Sequence, residues 1–136
     1  NDSMGAYVVT QLIKKMIKKK IQVEGARVLL LGLSFKENCP DIRNTKIIDI
    51  VKELEEYHVD VDVYDPWVDS AEAQHEYNIL PIDAPKSAEY DAIILAVAHE
   101  QFKQMGVEEI RKLGKADHVL YDLKYVLAQH ESDIRL

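Results

Sequence analysis

One short segment of the sequence carries two cations and an aromatic side chain at a spacing that suits an anionic ligand. It runs Gly32-Leu-Ser-Phe-Lys-Glu-Asn-Cys-Pro-Asp-Ile-Arg-Asn44. A lysine such as Lys36 neutralises a phosphate as a point charge, and an arginine such as Arg43 can grip one with two hydrogen bonds. Phe35 is able to pack on a base or a sugar. The segment indicates a phosphate-binding loop; the alternative is a solvated loop with Phe35 buried in the core.

The loop follows a stretch that is typical of a buried strand. Residues 27–32, Arg-Val-Leu-Leu-Leu-Gly, form a continuous apolar run that ends in glycine. A dinucleotide-binding fingerprint would stand at this point, but of its three spaced glycines only Gly32 is present. The sequence therefore favours a dinucleotide-like fold that lacks the NAD-binding signature.

Helix and strand patterns alternate along the chain. An apolar stripe at three- and four-residue steps predicts a helix over 4–21. Asn44 or Thr45 is expected to cap a second helix. The remaining expected elements are a strand over 59–63, a short helix over 69–77, an edge strand over 79–82, a buried strand over 92–97, one or two helices within 99–113 and a last strand over 118–121.

This alternation predicts an α/β fold, a Rossmann-like doubly wound parallel sheet of about five strands preceded by a linker helix. The expected strand order is 79–82, 59–63, 27–32, 92–97 and 118–121, with the two most apolar strands side by side at the centre. Ligands of such sheets bind beyond the carboxyl ends of the strands, where the winding reverses. We therefore expect a crevice lined by 33–43, by 98–100 and by the segment after Tyr121.

The first helix has a basic face opposite its apolar stripe, formed by Lys14, Lys15, Lys18 and Lys19, with Lys20 beside them. A patch for an anion is one interpretation. A solvated face near a helix C-terminus, where the dipole favours cations, is the preferred one. Little chain precedes the stripe, so we expect it to join this domain to an upstream part, or otherwise to stay exposed and promote association.

Charge and composition argue against several classes of partner. The 17 Lys and Arg against 24 Asp and Glu give a net charge of −7, which disfavours nucleic acid. No apolar run approaches the ~20 residues of a membrane span, and no secretory signal pattern opens the chain. The single cysteine fits a reducing compartment. We expect a cytoplasmic globular domain without nucleic-acid or membrane partners.

Histidines and one aspartate complete the set of side chains with possible chemistry. Asp65 follows the second expected strand, where an acid can hold a ribose hydroxyl. Because it precedes Pro66, a role in a turn is favoured. No Cys or Asp spacing around the five histidines suggests a metal site; they are His58, His75, His99, His118 and His130.

Four ordered motifs carry a family resemblance that covers essentially the whole chain. They are Gly32-Leu-Ser-Phe-Lys36 followed by Asp41-Ile-Arg-Asn44, then Tyr64-Asp-Pro66, then the strand 92–97 followed by His99 and Phe102, and last Tyr121-Asp-Leu-Lys-Tyr-Val-Leu127. Together they resemble the C-terminal, UDP-sugar-binding domain of the UDP-glucose/GDP-mannose dehydrogenase family. The last motif looks most like the branch that oxidises UDP-N-acetylhexosamines, such as UDP-N-acetylglucosamine or UDP-N-acetylgalactosamine.

The resemblance implies an NAD-dependent 6-dehydrogenase that oxidises the C6 alcohol of a UDP-sugar to a carboxylate in two steps, for surface polysaccharide synthesis. It also implies an N-terminal Rossmann domain that binds NAD, and a central helical region that carries the catalytic cysteine and forms a homodimer. Asn1-Asp2 and the helix after it resemble the helix that links the family's two halves. We therefore expect residues 1–22 to end the inter-domain helix and residues 23–136 to form the UDP-sugar-binding domain.

By position, the resemblance implies that Phe35 and Lys36 contact the substrate and that Arg43 reaches across the cleft to the NAD. Lys124 stands where many members have an arginine near the substrate, and the adjacent Tyr125 can contribute. Cys39 lies in the wrong domain to be the nucleophile, so we expect no catalytic residue in this chain and no activity from the chain alone.

Two alternatives keep the fold but change the function. A non-catalytic regulatory or assembly module is one of them, and the retained Phe35, Lys36 and Arg43 count against it. A receiver of the response-regulator type is disfavoured because Gly32 and Ala98 stand where its acidic residues would be.

Overall fold

The computed structural model describes residues 4–136, so Asn1 and Asp2 of the predicted linker lie outside the described residues. Strands and helices alternate along these residues, as the sequence predicts. The elements in chain order are α1 (Met4–Lys18), β1 (Arg27–Leu31), α2 (Ile47–Glu56), β2 (Asp60–Tyr64), α3 (Ser70–Tyr77), β3 (Tyr90–Leu95), α4 (Glu100–Arg111), β4 (Gly114–Asp122), a 3-10 turn (Gln129–Glu131) and β5 (Ile134–Arg135).

The strands form one parallel sheet in the order β2-β1-β3-β4-β5. The two most apolar strands, β1 and β3, are neighbours, with Leu29 opposite Ile93. From β1 the chain winds outward to β2 and then returns to β3 on the other side, so the sheet is doubly wound. This confirms the predicted fold class and the central strand pair.

The fifth strand is not where the sequence analysis placed it. Residues 79–82 do not form a strand, although the Ile82 amide donates a hydrogen bond to the carbonyl of Val63 at 2.8 Å. Pro81 has no N–H with which to extend a ladder. The fifth strand is β5, on the opposite edge, where Ile134 pairs with Tyr121. Because β5 has only two residues, its sequence shows no alternating pattern from which a strand could be predicted.

The sheet separates two layers of core. Along β1, Val28 and Leu30 face one side and pack with α1 and α2. Leu29 and Leu31 face the other side and pack with residues of α4 that include Phe102. Because both faces of β1 are covered, its sequence is a continuous apolar run rather than an alternation of apolar and polar residues.

Most of the apolar stripe of α1 is buried within the domain, so the expectation that it would remain exposed is wrong, although Ile17 is exposed. Val8 and Leu12 are fully buried. Gly5 permits close contact with α2, since an added Cβ there would lie 2.9 Å from the Cβ of Asp49. The helix ends at Lys18 rather than residue 21, because Lys20 adopts a left-handed φ of 63°. The amide of Ile21 then donates a hydrogen bond back to the carbonyl of Met16 at 2.9 Å.

Two helix boundaries also differ from the sequence analysis. Helix α2 has Lys46 as its N-cap rather than Asn44 or Thr45. The Thr45 hydroxyl still accepts a hydrogen bond from the Ile47 amide at 3.3 Å, so the predicted capping chemistry is partly present. Helix α4 bends at Gly106, whose φ of 76° is non-helical, and this divides residues 100–111 into two segments.

Among the described residues, no helix combines the length and apolar character needed to cross a bilayer. The boundary expected between residues 22 and 23 stays a prediction, as does the role of α1 in joining an upstream part.

Candidate functional site

A cavity of about 220 Å³ opens at the carboxyl ends of β1 and β3, where the winding of the sheet reverses. Three predicted segments line it: the loop after β1, the turn after β3 and the segment after β4. The start of α2 and both ends of the described chain complete the walls. The lining residues are Met4, Ser34, Phe35, Lys36, Glu37, Thr45, Lys46, Ile47, Ala96, Val97, Ala98, Leu123, Lys124 and Leu136. Sheets of this type bind ligands at this position, so the cavity is the candidate binding site.

The two central walls of the cavity meet closely because residue 32 is glycine. Gly32 ends β1 with a φ of 109°, a conformation that side chains disfavour. A Cβ on this residue would lie 2.6 Å from the Cβ of Val97. The glycine therefore lets the loop after β1 start directly against the end of β3.

Three exposed lysines surround the cavity, in a protein whose net charge is −7. Lys36 comes from the loop after β1, Lys124 from the segment after β4, and Lys46 from the start of α2. One acid, Glu37, lies among them. Lys36 and Lys124 were predicted from the sequence, but Lys46 was not, because its place at the cavity depends on where α2 begins. The arrangement suits an anionic ligand.

Phe35 is available to a ligand. Its side chain lines the cavity and is 57% exposed, so the alternative that buries it in the core is wrong. Its own amide donates to the carbonyl of Asp41 at 2.7 Å, which closes the loop on itself. The loop thus presents an aromatic side chain beside Lys36.

Arg43 lies outside the cavity wall and is paired within its own loop. Its Nε and Nη2 donate to the two carboxylate oxygens of Asp41, each at 3.1 Å. The side-chain and backbone hydrogen bonds from Arg43 hold the pKa of Asp41 below its ordinary value. With 85% of its side chain exposed, the guanidinium is held out toward solvent. Its expected contact with NAD stays a prediction.

Lys124 is positioned by a turn that wraps around one buried carboxylate. Asp122 ends β4 and is fully buried. Its Oδ1 accepts hydrogen bonds from the amides of Lys124 at 3.2 Å and Val126 at 3.0 Å. Its Oδ2 accepts one from the amide of Leu127 at 2.8 Å. The turn leaves the Lys124 side chain exposed at the cavity.

Tyr125 points at the C-terminal strand rather than into the cavity. Its hydroxyl donates to the carbonyl of Leu136 at 2.8 Å, and the guanidinium of Arg135 lies 3.9 Å from its ring centroid. Leu136 in turn lines the cavity. Tyr125 therefore acts on the cavity wall through residues 135–136, and its expected contact with substrate stays a prediction.

Asp65 is a structural anchor and not a free acid. It is buried, and its Oδ2 accepts hydrogen bonds from the amides of Leu33 at 2.7 Å and Ser34 at 2.9 Å. Its Oδ1 accepts one from the amide of Trp67 at 2.8 Å. Since these contacts occupy both oxygens, the structure supports the turn role over the ribose role.

His99 completes this anchor from the other side of the cavity loop. The ring is fully buried, and its Nε2 lies 2.9 Å from Oδ2 of Asp65 and 3.2 Å from Oγ of Ser34. Serine, histidine and aspartate here do not form a proton relay, because serine and aspartate both contact the same ring nitrogen. The Nδ1 instead accepts a hydrogen bond from the amide of Asn38 at 2.9 Å.

Burial alone would raise the pKa of the Asp65 carboxyl. The hydrogen bonds from His99 and from three backbone amides outweigh it, so the pKa is lowered overall. Asp65 is therefore a carboxylate at neutral pH, which is the form that accepts all four donors.

The remaining reactive groups stand apart from the cavity lining. Cys39 is partly buried and unpaired with another cysteine. Among residues 4–136, no group of three or more His, Cys, Asp or Glu side chains comes together to hold a metal ion. The polar and aromatic side chains that line the cavity are three lysines, one acid, two hydroxyl groups and one phenyl ring.

Known proteins share both the sequence and the fold. A model of the UDP-glucose/GDP-mannose dehydrogenase family, UDP binding domain, matches residues 29–129. The chain is 65% identical over all its 136 residues to the UDP-N-acetyl-D-glucosamine 6-dehydrogenases of Pseudomonas aeruginosa and of Salmonella typhi, and covers 32% of each. It therefore spans about a third of the length of these relatives.

A solved structure gives the same fold independently. The NDP-N-acetyl-D-galactosaminuronic acid dehydrogenase of Methanosarcina mazei Go1 superposes with a TM-score of 0.83 at 22% identity, over 96% of this chain and 27% of that one. The match over residues 29–129 includes the Phe35-Lys36 loop, Asp65, His99 and the Lys124 turn. On these grounds the chain belongs to the UDP-glucose/GDP-mannose dehydrogenase family and contains its UDP binding domain.

Proposed function

We propose that this chain holds the nucleotide end of a UDP-N-acetylhexosamine in an NAD-dependent 6-dehydrogenase that converts the sugar's C6 alcohol to a carboxylate. The observation that carries the proposal is the cavity at the reversal of the sheet, ringed by Lys36, Lys46 and Lys124. The 65% identity to two UDP-N-acetyl-D-glucosamine 6-dehydrogenases supports the substrate class.

The lysines provide the charge that a diphosphate requires. A UDP-sugar carries its negative charge on the two phosphates. Lys36 follows β1 and Lys124 follows β4, so the two lysines approach the cavity from the strands on either side of β3. Phe35 offers a surface for a base or sugar. These groups bind and orient the substrate and take no part in bond breaking.

The chemistry belongs to the rest of the proposed enzyme. Bound NAD would supply the hydride acceptor for the sugar, and the site that would hold it lies mainly in an N-terminal domain outside these 136 residues. Arg43 is the residue of this chain that we assign to NAD contact, since Asp41 holds its guanidinium toward solvent. We further propose a homodimeric and cytoplasmic enzyme, formed through a central region that this chain does not contain.

Calorimetric titration with UDP-N-acetylglucosamine, with NAD as the comparison ligand, tests the proposal. We expect the UDP-sugar to bind and NAD not to bind. Lys36→Ala should weaken binding by about 1.5–3 kcal/mol, the range for a hydrogen bond to a charged group.

Lys52→Ala is the matched control, because it removes the same charge from an exposed position on α2 that does not line the cavity. Equal losses in Lys36→Ala and Lys52→Ala would show that net charge, and not the cavity, governs affinity. Oxidation of the sugar by this chain alone would contradict the assignment of the chemistry to the missing parts.

A further inference from the structure

The loop that carries Phe35 and Lys36 is held at both ends by groups outside it. At its start, the amides of Leu33 and Ser34 donate to Asp65 at the end of β2. At its far end, the amide of Asn38 donates to His99. The side chain of Asn38 also accepts a hydrogen bond from the Glu100 amide at 2.9 Å, at the first residue of α4. The span between these ends is exposed and faces the cavity.

Within residues 4–136, the His99 ring is the one group that contacts both ends of this span. Its Nε2 reaches Asp65 and Ser34, and its Nδ1 reaches Asn38. An amide N–H is a donor only, so Nδ1 accepts and carries no proton. The proton is therefore on Nε2, which donates toward the Asp65 carboxylate. The contacts define a neutral imidazole of the Nε2–H tautomer.

The hydroxyl of Ser34 links the ring to the lysine itself. It lies 3.2 Å from Nε2 of His99 and donates to the backbone carbonyl of Lys36 at 3.0 Å. The Ser34 hydroxyl therefore connects the Lys36 backbone to the His99 ring, while the Lys36 side chain stays exposed.

The ring has little freedom to move. It is fully buried, and Phe102 and Trp67 pack around it with ring centroids 5.4 and 6.3 Å away. The residue precedes α4 as its N-cap, but its side chain makes no capping hydrogen bond. The two ring nitrogens instead contact Ser34 and Asn38 of the cavity loop and Asp65.

We propose that His99 is a positioning residue, which orders residues 34–38 before the ligand arrives and so sets the affinity that Phe35 and Lys36 provide. The proposal rests on the function proposed above. A loop that is ordered in the free protein loses less conformational entropy on binding than a mobile one. Removing the ring contacts should therefore weaken binding although no ligand-contacting side chain has changed.

Two conservative variants separate the two contacts of the ring. His99→Gln keeps a donor within reach of Asp65 and removes the acceptor for Asn38. His99→Asn keeps an acceptor at the position of Nδ1 and removes the donor. His118→Gln is the control, because His118 is similarly buried and its ring bonds to Lys115 and Arg111, away from the cavity.

Three measurements on the 136-residue chain give the test. Nitrogen-15 spectra of the His99 ring should show an unprotonated Nδ1 and a protonated Nε2. Hydrogen exchange of the Asn38 amide should accelerate in His99→Gln but not in His118→Gln, with the Ile94 amide of β3 as the core reference. Titration with UDP should show binding weakened about tenfold in His99→Gln, the equivalent of one hydrogen bond.

Ser34→Ala provides a second route if the His99 variants do not fold, since it removes only the hydroxyl between His99 and Lys36. It should weaken UDP binding in the same direction and by less. A protonated Nδ1 in the wild-type protein would overturn the proposal. So would UDP affinity that is unchanged in a folded His99→Gln variant whose Asn38 amide exchanges faster. Absence of UDP binding by the wild-type protein would instead overturn the proposed function, and this proposal with it.

Discussion

Two of the three segments that bring lysines to the cavity are each built around a buried aspartate, but the aspartates come from different places. The turn 122–127 wraps around Asp122, which is its own first residue. The loop 33–38 is held by Asp65, which lies about thirty residues later at the end of β2, and by His99 after β3. The first segment is shaped locally and the second by tertiary contacts.

This difference separates two ways of placing a cation. A turn closed on its own aspartate takes shape wherever its ends are held, because its donors and acceptor are neighbours in the chain. A loop anchored on two other strands takes shape only when the sheet has assembled. Lys36 should therefore respond to changes in distant residues, whereas Lys124 should respond to changes in its own turn.

The largest effect should come from Asp65→Ala, which leaves three backbone amides and one imidazole without their shared acceptor. We expect the free energy of unfolding to fall by about 3–5 kcal/mol, as for a broken buried pair. Binding of UDP should also be lost, because the loop that presents Lys36 is no longer held. Urea unfolding and calorimetric titration measure the two effects. A variant that loses stability but binds UDP normally would show that the loop needs no tertiary anchor.

A smaller effect is expected from Asp122→Ala. Three amides of the turn lose their acceptor, but two of them, those of Lys124 and Val126, belong to residues that are partly or fully exposed to water. We expect a loss of about 2–3 kcal/mol in the free energy of unfolding. Hydrogen exchange should accelerate at Val126 and stay unchanged at Asn38. Faster exchange at Asn38 would show that the two segments are coupled and would remove the contrast between them.

The smallest effect should appear on acidification. The pKa of Asp65 is lowered in the folded protein, so its contribution to stability is complete above the ordinary aspartate pKa and is lost as the pH falls through the folded pKa. Urea unfolding of the wild-type protein should show this extra loss below about pH 4, and Asp65→Asn should lack it. Asp133, whose pKa is also lowered, contributes equally in both proteins. Identical acid profiles would mean that Asp65 contributes nothing to the acid response.

Most of the fold is predictable from local pattern. The apolar runs in β1 and β3 and the alternation in β2 identify strands whatever their neighbours are, and β1 and β3 are adjacent as expected. The errors lie at the sheet edges. Residues 79–82 resemble a strand in composition, but Pro81 lacks the N–H that a ladder needs, and these residues do not form a strand. β5 is defined by pairing with β4 and has no pattern of its own.

Two of the three lysines at the cavity were named from the sequence, whereas Lys46 and the contacts that hold the loop were not. Lys36 and Lys124 follow from residue type and from the family resemblance. The role of His99 does not, since its three partners Ser34, Asn38 and Asp65 are 34 to 65 positions away. The one local signal was that Asp65 follows β2 and His99 follows β3, which puts both at the edge of the sheet where the cavity forms.

The two-residue strand β5 links the shape of the cavity to the protection of the sheet. Its pairing covers part of the outer edge of β4, and an uncovered edge is a template for pairing with another chain. Leu136, the next residue, lines the cavity and is held by the Tyr125 hydroxyl. A ligand that contacts Leu136 binds only the form with this segment docked and so stabilises that form by mass action. On the proposed function, we therefore expect a bound ligand that contacts Leu136 to reduce intermolecular strand addition at β4.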